Sequence, residues 1–154
     1  MLYNLAANPQ YIQALRDEVE PIVKEEGWSK AAVAKMYKVD SFMKETQCMN
    51  GLSLGEYRYA AYFRAVELIV FLPVNMLRKT MKDVTFADGT VIPKGTFVTM
   101  ASQPMHLDNE IYDNAEMFDP FRFANMRAEY GGVKHQFAVT SPEYLVFGHG
   151  RHAW

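Results

Sequence analysis

Apolar and polar side chains alternate at helical spacing through the first fifty residues. Asn8-Pro9 places an N-cap before a proline at the first helical position, and Ile12, Leu15, Val19, Ile22 and Val23 then recur three or four apart. This predicts a helix from about Pro9 to Glu25, bent at Pro21 where the backbone donor is lost. After Gly27, Ser29 can cap a short helix through Met36. Asp40 can cap a third helix running to about Asn50, with Gly51 as its stop.

Farther on the period changes. Val84-Thr85-Phe86 and Thr90-Val91-Ile92 flank Ala87-Asp88-Gly89, a hairpin signal, and Lys94-Gly95 turns the chain into a strand from Thr96 to Met100. A small antiparallel sheet is expected. From Pro104 onward Pro, Gly, Asn and Asp are frequent and the aromatic residues follow neither period, which predicts a long packed meander. Coil of that length needs a cofactor or another segment to organise it. No internal repeat or low-complexity tract interrupts the chain.

With 154 residues, 49% hydrophobic and 22% charged, the chain has the size and composition of one globular domain. Its net charge of -2 gives no basic footprint for phosphates, so nucleic acid is not expected as a partner. Cys48 is the single cysteine, which rules out an intrachain disulfide or a cysteine-based zinc site and fits a reducing compartment. The first residues, MLYNLAANPQ, lack the basic and apolar regions of a signal peptide. The most apolar stretch, Tyr57 to Met76, is broken by Arg58, Arg64, Glu67 and Pro73, so no transmembrane segment is expected; its polar face is also thin for a helix lying on a membrane surface.

Near the far end, Phe147-Gly148-His149-Gly150-Arg151-His152-Ala153 resembles the haem-binding loop of the cytochromes P450, F-G-x-G-x-[RHK]-x-C, through its first seven places. The eighth is Trp154. Phe118-Asp119-Pro120-Phe121-Arg122-Phe123 resembles the P-x-R-F element of that family's meander, and Lys44-Glu45-Thr46-Gln47-Cys48 stands at the E-x-x-R motif of its K helix. The resemblance implies that Phe147, Gly148, Gly150 and His152 belong to a haem loop. It also implies that His152 and Arg78 face haem propionates, and that Glu45 and Arg122 pair to lock the fold. Cys48 stands where the family has arginine, whose planar fork no thiol replaces. Asn75 to Thr80, Phe86 to Thr90, Ile92 to Thr96, Lys134-His135-Gln136 and Thr140 to Tyr144 are similar to filamentous-fungal members, many of which oxidise terpenoid, alkaloid or polyketide intermediates.

The expected fold is therefore α+β, mainly α: an incomplete P450 fold with J- and K-type helices, a small antiparallel β-sheet and a coil meander over residues 1–154, with 53–74 as an insertion. The resemblance implies the C-terminal part of a haem-thiolate monooxygenase, an oxidoreductase whose iron is held by cysteine. The I helix, L helix and substrate-recognition regions would lie elsewhere. An anionic sulfur drives O–O cleavage in this class, and the indole of Trp154 offers no lone pair to a metal. Haem belongs to the parent family and is not expected to be bound by this chain. The family's partners would be an NADPH-dependent reductase and a hydrophobic small molecule. Its seat would be the endoplasmic reticulum membrane through an N-terminal anchor, leaving this stretch cytosolic by itself.

Three functions remain open: an inactive remnant, an active monooxygenase read through a misassembled gene, and a noncatalytic binding module. The first is preferred, and one codon argument accounts for both the tryptophan and the insert. A cysteine codon split after TG and read into GTGA encodes tryptophan then stop, and Gly55-Glu56-Tyr57 is what a splice-donor-like GGTGAGTA encodes, so Trp154 and about 55–72 are expected to be translated intron. Among the other candidates, His149 and His152 read more readily as loop residues than as surrogate iron ligands, and His106 and His135 as structural or solvent-facing. Cys48 reads as a small buried hydrophobe.

Overall fold

The computed structural model describes residues 1–50, 74–131 and 133–151, and for 50 and 74–77 the backbone alone. Residues 53–73, most of the expected insertion, lie outside the described residues, as do His152 and Trp154. The architecture is mainly helical with small antiparallel sheets. Helix α1 (Leu2–Ala7) leads through a 3-10 turn at Pro9–Tyr11 into α2 (Ile12–Glu26). The sequence reading merged that turn with α2. The helix continues through Pro21 and ends at Gly27, whose φ of 64° only glycine adopts without strain. Ser29 caps α3 (Lys30–Ala34) as expected, its hydroxyl accepting from the Ala32 amide at 3.0 Å.

Helix α4 (Tyr37–Asn50) starts earlier than its expected cap at Asp40. A carboxylate from another helix displaces that signal: Glu18 of α2 accepts from the Lys38 amide at 2.9 Å and the Val39 amide at 3.1 Å. Asp40, inside the first turn, instead holds the meander, accepting from the Phe137 amide at 3.0 Å and from Arg127 at 3.2 Å.

The expected hairpin forms as β2 (Val84–Thr85) and β3 (Val91–Ile92), paired Val84 with Ile92 and Thr85 with Val91. Asp88 closes its turn by accepting from the Thr90 amide at 2.9 Å. The next strand, β4 (Phe97–Ala101), does not extend this sheet as expected; it pairs antiparallel with β1 (Val74–Lys79) in a second two-stranded sheet. Two helices also stand where coil was expected: α5 (Ser102–His106), directly after β4, and α6 (Arg122–Tyr130) inside the meander. Among the described residues no helix is long and apolar enough to cross a membrane.

The core lies where α4, the meander and the segment before Phe147 meet. Cys48, Tyr112, Ala115, Phe123, Tyr144 and Val146 form one buried cluster, with Ile111, Met126 and Phe147 packed against it. Cys48 is thus the small buried hydrophobe the sequence suggested, and its thiol is pushed up by burial and by the Glu45 carboxylate, away from reactivity.

Candidate functional site

Helix α4 presents Lys44, Glu45 and Cys48 to the meander. Glu45, 1% exposed, accepts from the Asp119 amide at 3.0 Å and from Arg122 Nε at 3.1 and 3.3 Å through its two oxygens. Burial raises its carboxyl, opposed by the Asp119 amide and by the Arg122 charge. Arg122 spends its remaining donors on backbone: one terminal nitrogen on the Asp113 carbonyl, the other on the Asn114 and Met117 carbonyls at 3.1 and 2.8 Å. A single guanidinium therefore ties α4 to the stretch from 113 to 117. Cys48 stands one turn along α4 and joins no ion pair; it packs on the rings of the core cluster.

Lys44 has no role in the sequence reading beyond its place beside Glu45. Here it is 1% exposed, its Nζ 4.1 Å from the Tyr144 ring centre and 4.9 Å from that of Phe123. The ammonium donates to the Gln136 carbonyl at 3.1 Å and the Val139 carbonyl at 3.5 Å. Burial pushes its pKa down to about 8. A cavity of about 370 Å³ opens beside it, lined by Lys44 and Lys134 but equally by Glu110 and Glu143, so it offers no single sign of charge to a ligand.

The segment before Phe147 is held from several sides. Tyr144 donates to Gln47 of α4 at 2.9 Å, Tyr112 donates to the Glu143 carbonyl at 3.0 Å, and the Leu145 amide donates to His106 Nε2 at 3.2 Å. His106 is 2% exposed and stacks on Tyr144, 5.6 Å between centres at 28°. It is structural, one of the two roles its sequence allowed, as is half-buried His135, stacked on Phe123. Phe147 meets Phe137 edge-on at 5.9 Å. Gly148 is buried with φ 78°, its amide donating to the Leu145 carbonyl at 3.0 Å, and Gly150 has φ 82° in open space. Side chains are strained at both positions, which is the physical need behind the two glycines. His149 lies 3.3 Å from the Thr140 hydroxyl. Arg78 sits on β1 opposite Val98, exposed.

The geometry thus joins three sequence marks, the Glu45 carboxylate, the Arg122 guanidinium and the Phe147-Gly148 turn, around one core. A family profile described as Cytochrome P450 matches residues 68–153. This chain belongs to the cytochrome P450 family. It is 46% identical over 153 residues to cytochrome P450 monooxygenase 103 of Postia placenta, a match covering 99% of this chain and 27% of that protein. It is 43% identical to cytochrome P450 monooxygenase CYP512U6 of Ganoderma lucidum, covering 99% of this chain and 26% of the relative. To cytochrome P450 monooxygenase BOA4 of Botryotinia fuckeliana it is 38% identical, covering 99% and 27%. The chain spans about a quarter of the length of these P450 relatives.

The family implies haem. The described residues offer no sulfur ligand for a haem-thiolate site: the single thiol of the sequence, Cys48, is buried in the core among Tyr112, Phe123 and Tyr144.

Proposed function

We propose that this chain is the portion of a haem-thiolate monooxygenase that fixes the haem loop to the K-type helix, and that with Trp154 at the ligand position it does not itself activate oxygen. Phe147, Gly148, Gly150 and His152 are the haem-loop residues in this reading, Arg78 the second propionate partner, and Glu45 with Arg122 the clamp. The whole protein would insert one oxygen atom into a C–H bond of a hydrophobic secondary metabolite, the second oxygen leaving as water, with electrons from NADPH delivered by a reductase. The relatives, all named monooxygenases and all fungal, support that assignment.

The observation that carries the reading is the tryptophan following seven matched places of the loop pattern. Thiolate ligation is what makes this class an oxygen activator, and indole offers only a hydrogen-bond donor. The test is a reduced carbon-monoxide difference spectrum after incubation with haem. No band near ~450 nm is expected from the chain as it stands. Such a band in the unaltered protein overturns the proposal.

A second reading, an active monooxygenase whose gene retains introns, rests on the codon argument for Trp154 and Gly55-Glu56-Tyr57. Sequencing the spliced transcript separates the two. Cysteine at codon 154, arginine at codon 48 and loss of about residues 55–72 would establish the second reading, and a transcript matching the present sequence would remove it.

A further inference from the structure

We propose that His106 is a positioning residue that sets the backbone of the haem loop through Leu145. This rests on reading Phe147–Arg151 as that loop, although the contact itself is independent of any bound group. The peptide units around Leu145 are engaged on both sides. The Leu145 amide donates to His106 Nε2 at 3.2 Å, and its carbonyl accepts from the Gly148 amide at 3.0 Å. Gly148 is the first of the two left-handed glycines, with φ 78°. A single residue therefore links the imidazole to the turn that opens the loop.

The imidazole is itself immobilised. It lies at the last position of α5, with Tyr144 stacked on one face. The helix it ends is tied to α4 by Gln103, whose amide donates to the Met49 carbonyl at 3.3 Å. Tyr144 is tied to the same helix through Gln47. Accepting at Nε2 requires the lone pair there, so the ring is neutral with its proton on Nδ1. Burial favours that neutral form. A buried peptide N–H facing an apolar side chain in place of this nitrogen would be left unsatisfied, so the contact specifies where the chain runs as well as filling space.

This assigns a role that packing alone does not predict, because substitutions of similar volume should separate. Glutamine can bring Oε1 to the place of Nε2, while phenylalanine keeps the stack on Tyr144 and removes the acceptor. Hydrogen exchange of the full chain, followed residue by residue, distinguishes them. In His106→Phe the Leu145 and Gly148 amides should lose protection by roughly tenfold or more, the expected effect of one lost buried acceptor, while amides in α6 keep theirs. In His106→Gln the Leu145 protection should return. Unchanged protection at Leu145 in His106→Phe, or an equal loss throughout the chain in both variants, overturns the proposal. Should either variant fail to fold, the unaltered protein still answers: a scalar coupling across the hydrogen bond between the Leu145 nitrogen and His106 Nε2 is expected, and its absence defeats the assignment. Neither readout uses haem, so a failed carbon-monoxide spectrum and a failed His106 test remain distinguishable.

Discussion

Arg122 Nε lies 3.1 Å from Glu45 Oε2, joining the first residue of α6 to α4 across 77 positions of chain, and the pair is almost wholly buried. Arg122→Lys keeps the charge but has one nitrogen with which to replace contacts to Glu45 and to three carbonyls. It is expected to cost about 1–3 kcal/mol, the range for buried polar groups left without a partner, because one ammonium cannot serve Glu45 and the three carbonyls together. Urea unfolding of the two proteins measures this. A loss below about 1 kcal/mol, the value of an exposed pair, would show that the clamp does not hold the meander.

Cys48 should react with a thiol reagent only when the chain opens. It is buried, and burial holds its thiol well above the usual range, so both access and ionisation are closed to it in the folded protein. The labelling rate is expected to follow the unfolded fraction as urea rises. Rapid labelling without denaturant would contradict the core packing described above.

Acid should weaken the fold through His106. Its folded pKa is pushed down to about 4 by burial, the backbone of Cys48 acting in the opposite direction, while in the unfolded chain it titrates near 6.5. The unfolded state thus binds the extra proton between these values. The His106 contribution is complete above about pH 6.5 and is lost as pH falls toward about 4, by on the order of 3 kcal/mol in all. His106→Gln, which has nothing to titrate, should show a shallower fall over that window in urea titrations at successive pH values.

Lys44 gives the corresponding effect in base. Its folded pKa of about 8 lies below the ordinary 10.5, so between those values the unfolded chain holds more protons and stability should rise with pH. The Cys48 thiol, pushed up by burial, acts oppositely once the unfolded chain's thiol ionises near about 8.5, and the Tyr112 and Tyr144 hydroxyls do so near about 10, so a net rise is confined to the stretch just above about pH 8 and the Lys44 effect beyond it is read as the difference in slope between the two proteins. Lys44→Met should abolish the rise. If the variant shows the same slope, the ammonium is not the group responsible.

Gly148 should not tolerate a side chain. With φ 78°, Gly148→Ala is expected to lose about 1–2 kcal/mol from backbone strain, and a variant of equal stability would place the turn elsewhere in conformational space.

The elements governed by local chemistry were legible in the sequence. Ser29 caps the helix it was expected to cap, and Ala87-Asp88-Gly89 turns the hairpin it was expected to turn. Features governed by distant partners were not. Asp40 carried an N-cap signal, yet Glu18 of another helix took that task and freed Asp40 for the meander. Helix α6 has no cap from its own N-cap residue, Phe121; the Ser41 hydroxyl of α4 accepts from the Ala124 amide at 3.0 Å instead, and its first residue is committed to the clamp, so neither a local start signal nor a clear apolar stripe marks it. Lys44 and His106 carry no signal in sequence either, since their burial comes from Tyr144, which lies far along the chain from both.

Arg122 grips the carbonyl oxygens of residues 113, 114 and 117 and makes no demand on their side chains. Exposed Asp113 and Met117 should be permissive of amino-acid replacement, Ala115 in the core and Asn114 at φ 51° should not, and the stretch as a whole should be intolerant of insertion or deletion, because one added residue carries an oxygen out of the guanidinium's reach.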